Sequence, residues 1–294
     1  MNGLSSTQKP IWFDQCFHGN SSLYNIGGYV HIQGGIDVKL FQRSLQLVLQ
    51  HADVFQFQFL ELEDNVVHKI VPTDAEVCDF IDFSSLPSAN NKCLDWLVDN
   101  AQTPLDLKKQ NTFQFSLLKA GETDFYWQIK LHHLLGDGWA ISLLIKRVSE
   151  AYQCLVEGES WPKKSLPQYQ DFLGYDEEYL SSEDYQKDES YWEKEMDNFP
   201  GPLGIPSLNH KNGLSSKSLR KSLYVSQKNY AEIKEVSKAF GASPFHYFLG
   251  LFAAYFQQIS GQEELAIGVP VLNRSNAKFK QTIGLFASVL PLRI

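Results

Sequence analysis

Apolar positions recur along this chain with two different periods. Residues 25–33 have strand character, with Tyr29, Val30 and Ile32 as apolar members. Asp37 then offers an N-cap for Leu40, Phe41, Leu45, Val48 and Leu49, a stripe at helical spacing. Phe55, Phe57 and Phe59 alternate with Gln56 and Gln58, the period-2 mark of a half-buried strand. Residues 66–70 can pair with it across the acidic turn 61–65. Residues 87–102 read as a helix carrying Leu94, Trp96, Leu97 and Val98. Residues 112–120 alternate again, with Phe113, Phe115 and Leu117 on one side. The turn 121–124 leads into a strand with Phe125, Trp127, Ile129 and Leu131 on one face. That strand runs into His132 and His133. A helix follows Gly138, with Ile141, Leu144, Ile145, Val148, Tyr152 and Leu155 as its apolar positions.

The second half is less regular. Residues 158–180 are rich in Pro, Tyr and acids, and 182–198 read as a polar helix anchored by Tyr185, Tyr191 and Trp192. Residues 200–218 are rich in Gly, Pro, Asn and Ser and read as an exposed loop. A second set follows: a strand over 219–225, helices over 229–240 and 243–259, and a strand over 264–270. Ser243 and Pro244 form an N-cap followed by Pro at the first helical position. The expected division is a first lobe over 1–175, a linker helix and loop over 176–217, and a second lobe over 218–294. Residues 289–294 stop inside an apolar run with no cap or closing turn. The expectation is a chain that ends within its second lobe.

Composition narrows the function. The 294 residues are 43% hydrophobic and 20% charged, ordinary for a soluble globular protein. A net charge of -8 is poor material for a nucleic-acid footprint. No basic segment precedes an apolar run at the N-terminus, and the longest apolar stretch, 245–256, is too short to span a membrane. Cys16, Cys78, Cys93 and Cys154 are scattered, which speaks against a disulfide framework or a zinc cluster. A cytoplasmic monomer, binding neither nucleic acid nor membrane, is the expectation.

The chemistry concentrates in His132-His133-Leu134-Leu135-Gly136-Asp137-Gly138. Adjacent residues of a strand point to opposite sides, so only one histidine can face a given cleft. His133 is the chemical candidate, and His132 is expected to face the core and brace the loop. Asp137 can hold the loop by pairing with an arginine or with backbone amides. Attack on an acyl thioester needs proton removal, oxyanion stabilisation and two substrates held together. Histidine, which changes charge in the physiological range, suits the proton step. A neutral amine attacks unaided, and the histidine would then position it and stabilise charge. Neither a G-x-S-x-G elbow nor a G-x-G-x-x-G fingerprint is present, so direct transfer is favoured over a covalent acyl-enzyme.

The segment 132–138 resembles the signature of the condensation-domain superfamily, which includes the condensation domains of nonribosomal peptide synthetases and chloramphenicol acetyltransferase. Four further stretches carry the resemblance along the chain. Leu4, Ser5, Gln8, Ile11 and Trp12 look like the opening motif, and Asp53, Phe55 and Phe59 like the second. Tyr169-Gln170-Asp171-Phe172 matches a Tyr-x-Asp-Phe motif, and Ile283-Gly284-Leu285-Phe286 with Leu290, Pro291, Leu292 and Arg293 matches the fifth. Ala52 and Gln56 replace a usual His and Arg, and Ser288 replaces a usual Asn. The opening motif lies almost at Met1, as in the first domain of a synthetase or a stand-alone one, and the chain most resembles the starter type.

The resemblance implies an α/β (α+β) chloramphenicol acetyltransferase-like two-layer sandwich. It implies a complete N-terminal lobe and an incomplete C-terminal lobe of a V-shaped pseudo-dimer. It implies amide formation by His133, with Asp137, Gly138 and His132 completing the catalytic segment. Arg293, with Arg274 in reserve, is the implied ion-pair partner of Asp137, and Trp139 and Ser288 are candidates for the substrate tunnel. The domain itself would bind no cofactor. Donor and acceptor carrier proteins would present substrates on phosphopantetheine arms, with an adenylation domain downstream.

Overall fold

The computed structural model describes residues 2–62, 65–73, 77–107, 112–162, 164–199, 201, 203 and 221–294. Two compact units result. The first holds Met1–Ser182 with Leu272–Ser288, and the second holds Glu183–Val271 with Val289–Ile294. The first unit therefore runs past the expected boundary at 175, and it takes residues 272–288 out of the expected second lobe.

In chain order the first unit contains β1 (Asn2–Gly3), α1 (Gln8–His18), β2 (Asn25–Gln33), α2 (Val38–His51), β3 (Phe57–Leu62), β4 (Asn65–Ile70), β5 (Asp79–Asp82), α3 (Ala89–Ala101), β6 (Phe113–Gly121), β7 (Asp124–His132), α4 (Gly138–Val156) and α5 (Gln170–Leu180). The main sheet has the order β2-β7-β6-β5; β7 is antiparallel to β2 and β6, and β5 is parallel to β6. A smaller sheet has the order β1-β4-β3.

The alternation along β7 decides the packing. Phe125, Trp127, Ile129 and Leu131 all enter one buried cluster with Phe41, Leu45, Val48 and Leu49 of α2 and Leu144 and Val148 of α4. Tyr126, on the opposite face, joins Leu118 of β6 with Cys93 and Leu97 of α3. The sheet thus carries α2 and α4 on one side and α3 on the other. Asp37 caps α2 as expected, accepting from Leu40 N at 3.0 Å. The expected strand over Phe55 begins two residues late, because Asp53–Gln56 form a 3-10 turn.

The second unit contains α6 (Glu183–Glu195), α7 (Gln227–Ala239), α8 (Pro244–Ser260) and β8 (Ala266–Val271), which pairs with β9 (Ser288–Arg293). Ser243 precedes α8, its N–H donating to His246 Nδ1 at 3.2 Å. Among the α8 side chains only Ala253 is buried, and Phe245, Leu251, Phe252 and Tyr255 are exposed. The strand expected over 219–225 is absent where it is described: 221–225 is irregular, with Leu223 and Tyr224 exposed. Leu219 and most of the expected 200–218 loop lie outside the described residues.

Candidate functional site

Strand β7 ends at His132, which stands before a 3-10 turn over His133–Leu135, and α4 starts at Gly138. The two histidines diverge as a strand end requires. His132 is 1% exposed. Its Nδ1 accepts from Leu134 N at 3.2 Å, and its Nε2 faces Gln15 Oε1 at 3.2 Å. Burial, reinforced by neighbouring His133, pushes His132 down to about 3. His133 is half-buried, and its backbone N–H donates to Tyr24 O at 2.8 Å. Its Nδ1 is buried and meets no hydrogen-bond partner among the described residues.

Asp137 is buried and acts as a hub. Oδ1 accepts from Ala140 N at 2.8 Å, capping α4, and from Arg274 Nη2 at 3.0 Å. Oδ2 accepts from Arg274 Nη2 at 3.2 Å and from the backbone amides of Phe286 and Ala287, each at 3.1 Å. Arg274 is buried in turn. Its Nη1 donates to Phe279 O and Thr282 O, both at 2.6 Å, its Nη2 donates to Gly284 O at 3.1 Å, and its guanidinium lies 4.0 Å over the Phe286 ring. Burial lowers the Arg274 pKa, and the Asp137 charge opposes that shift.

This geometry corrects one expectation. Asp137 makes no bond to His133 and spends both oxygens on the loop, through an arginine and backbone amides. Its partner is Arg274, not Arg293. Arg293 is on β9 and donates to Glu195 O at 2.7 Å, to Asp197 O at 3.0 Å and to Glu264 Oε2 at 2.6 Å. The 284–287 turn approaches Asp137 through its amides, and Arg274 supplies the guanidinium.

The flanking glycines need different explanations. Gly136 has φ 177°, an extended backbone open to any residue. A Cβ there would stand 2.9 Å from Ala140 Cβ, so close packing is the constraint, not a sharp turn. Gly138 is exposed at the first position of α4, where a Cβ would meet nothing within 4 Å. Trp139 is 42% exposed and donates through Nε1 to Lys280 O at 2.9 Å. Ser288 is half-buried at the start of β9.

The other sequence motifs converge on the same loop as scaffold. Gln8 donates to Leu134 O at 2.8 Å. The Tyr169 hydroxyl lies 3.1 Å from Ser5 Oγ and donates to Leu285 O at 2.6 Å. Asp53 accepts from Tyr169 N at 2.7 Å and Gln170 N at 2.8 Å, which starts α5. Asp171 pairs with Lys278 at 3.0 Å. Sequence reading missed Arg147, a buried α4 cation that donates to Gln281 O. No signal short of the structure marks it. No trio of His, Cys, Asp or Glu among the described residues could hold a metal ion, and no described helix is long and apolar enough to cross a membrane.

Comparison with known proteins adds a family to this geometry. The profile described as Condensation domain matches residues 1–294. A dimodular nonribosomal peptide synthase of Bacillus subtilis (strain 168) is 28% identical over 292 residues, which is 99% of this chain and 12% of that protein. Malpinin synthetase of Mortierella alpina is 24% identical over 293 residues, 99% of this chain and 4% of that protein. The chain thus spans about one-eighth or less of these relatives. Among solved structures, the first condensation domain of the calcium-dependent antibiotic synthetase aligns with TM-score 0.83 at 22% identity, covering 99% of this chain and 69% of that one. The starter condensation domain of rhizomide synthetase in complex with C8-CoA aligns with TM-score 0.86 at 24% identity, covering 99% and 66%.

Proposed function

From a chain that belongs to the condensation-domain family, we infer amide-bond formation between a thioester-bound acyl donor and an amine acceptor. The observation that carries the reading is a contrast within one loop. The His132, Asp137 and Trp139 side chains are all engaged in bonds that hold structure, whereas among the described residues no hydrogen bond reaches the His133 imidazole. A group left free on a rigid scaffold is what a reacting site requires.

The reaction forms a C–N bond at the donor carbonyl and breaks its C–S bond. The sulfur leaves as a thiol, and the proton lost by the amine accounts for the balance. His133 either accepts that proton or holds the amine and stabilises charge in the tetrahedral intermediate. Among the described residues no carboxylate bonds its ring, so a relay of the serine-protease kind is not part of the reading. Donor and acceptor carrier proteins would deliver the substrates on phosphopantetheine arms, an adenylation domain would follow, and Trp139 and Ser288 would line the substrate path. The parent protein would be a cytoplasmic synthetase. The donor would be an aryl or fatty acyl group, as in starter domains. A second reading, an acyl-CoA donor, has support in the rhizomide synthetase starter domain solved with C8-CoA.

The test follows acyl mass onto an aminoacyl-loaded acceptor carrier, with acyl-loaded donor carrier or acyl-CoA supplied separately. The 294-residue chain and a version extended at its C-terminus are both assayed. Transfer from the donor carrier supports the reading, and transfer from acyl-CoA alone favours the second. No transfer by either protein overturns both.

A further inference from the structure

We propose that Gln15 is a positioning residue for the acyl-transfer centre: it fixes His132 as the neutral Nε2–H tautomer, and that tautomer sets the backbone on which His133 stands. The inference rests on the function proposed for His133 and adds a residue outside all five motifs.

The polarity of each bond can be read from groups that allow no choice. The Gln15 amide nitrogen faces Gly19 O at 2.6 Å and Ser21 O at 3.4 Å, with Ser21 Oγ at 3.1 Å. Carbonyl oxygens only accept, so this end of the amide is the NH2 group. Oε1 therefore points at His132 Nε2, 3.2 Å away, and the ring nitrogen must donate. At the other edge of the ring Leu134 N–H is a donor only, so Nδ1 must present its lone pair. A backbone group thus dictates the protonation at each side of one imidazole. An imidazolium would set a second N–H against that of Leu134.

Gln15 is not alone on its helix face. Gln8 lies seven residues earlier, two turns of α1 away, and both are buried. Gln8 accepts from Ser5 N at 3.1 Å and donates to Leu134 O at 2.8 Å. Leu134 is therefore held at its C=O by Gln8 and at its N–H by Gln15 acting through His132. His133 lies between these fixed residues, and its own N–H is held by Tyr24 O. The titratable groups around His132 are His133 and Tyr24, whose ring centroid is 6.1 Å away and whose hydroxyl donates to Asp14 Oδ2 at 2.8 Å. Neither offers Nδ1 or Nε2 a competing acceptor. The low His132 pKa accords with a ring that stays neutral.

Long-range proton–nitrogen NMR on histidine-labelled protein reads the tautomer directly, without activity. In the unsubstituted chain His132 should show a protonated Nε2 and a bare Nδ1, unchanged from about pH 5 to about pH 8. Gln15→Leu should leave the His132 Nε2–H without its acceptor and the ring held by Leu134 N–H alone, and lower kcat about 10- to 100-fold with KM for the acceptor carrier unchanged. Gln15→Glu should draw a second proton to His132, so that its loss of kcat deepens as pH falls. A protonated Nδ1 or an imidazolium in the unsubstituted chain overturns the proposal, whether or not the variants fold. So does a folded Gln15→Leu protein with unchanged kcat. If NMR finds the stated tautomer and the protein transfers no acyl group, the condensation reading fails and the clamp on His132 stands.

Discussion

Gly284 lies flat against the ring of Tyr169. A Cβ at residue 284 would stand 2.0 Å from Tyr169 Cδ2 and 2.5 Å from Cε2. The ring cannot retreat, because it is fully buried and its hydroxyl is held by Ser5 and Leu285. Gly284→Ala should therefore destabilise the chain by about 1–3 kcal/mol or more, as overpacked cores do. Because the same turn supplies the Phe286 and Ala287 amides to Asp137, transfer should fall with stability. Urea midpoints measured beside rates check both effects.

The two arginines separate cleanly. Arg274→Ala leaves the Asp137 carboxylate buried without its cation, a loss of about 3–5 kcal/mol. Arg274→Lys should restore little, because one ammonium cannot reach Phe279 O, Thr282 O and both Asp137 oxygens together. Arg293→Ala breaks a pair with Glu264 and bonds to the Glu195 and Asp197 carbonyls on a side chain partly open to solvent, and should cost less, about 1–2 kcal/mol. Equal destabilisation by Arg274→Ala and Arg293→Ala would remove Arg274 from its assigned place.

The histidines should divide in the opposite sense. His133→Ala removes a side chain with no hydrogen bond among the described residues, so its unfolding midpoint should move little while transfer drops about 10²- to 10⁴-fold. His132→Ala leaves Leu134 N–H and Gln15 Oε1 unpaired and should lose about 1–3 kcal/mol, with activity falling through misplacement. Thermal melts paired with rates distinguish chemistry from support.

Acid should weaken the fold through His68. This β4 side chain is 1% exposed, stacks on Phe57 at 3.9 Å, and has no hydrogen-bond partner on either nitrogen among the described residues. Burial pushes it down to about 4 from 6.5. The unfolded chain takes up a proton there below about pH 6.5, and the folded chain does not until about pH 4. The contribution is full above 6.5, declines as pH falls through that window, and is gone below about 4. Linkage sets its size at roughly 3 kcal/mol. His68→Phe keeps the stack and should flatten the fall in urea midpoint between about pH 7 and about pH 5. His132, pushed down to about 3, adds a share in the same direction over a wider window. An unchanged slope would mean that His68 is not the group responsible.

Where periodicity is strong and satisfied locally, the elements were legible from residues alone. β7 and α4 are the clearest cases, since alternate residues of one and the i, i+3, i+4 stripe of the other meet in a single cluster. Helix α5 was hidden in a Pro- and acid-rich stretch because its start is capped by Asp53, whose carboxylate arrives from 116 residues away. The strand read over Phe55 failed for a related reason: Phe55 is a core residue, but a 3-10 turn places it there. Leu223, Tyr224 and Val225 form a short apolar run, yet they have no partner strand among the described residues.

At the site, the strand–loop–helix order and the burial of His132 could be read from seven residues. The choice between Arg274 and Arg293 could not, because spacing does not say which side chain turns inward. Gln15 carried no signal at all. Its role depends on which end of an amide faces which carbonyl, a property of the folded turn at Gly19–Ser21.

One consequence concerns synthesis on the ribosome. Asp137 Oδ2 accepts hydrogen bonds from amides 149 and 150 residues further along the chain. At ordinary translation rates those amides emerge roughly 7–30 s after the carboxylate they will hold. During that interval the nascent first unit carries an acid destined for the interior with neither its arginine nor its amides yet made. The loop under His133 is therefore completed late, when residues 272–288 leave the exit tunnel and fold back onto a sheet already translated. A stall or cleavage before that point would release a chain whose sheet is present and whose His133 has no finished floor.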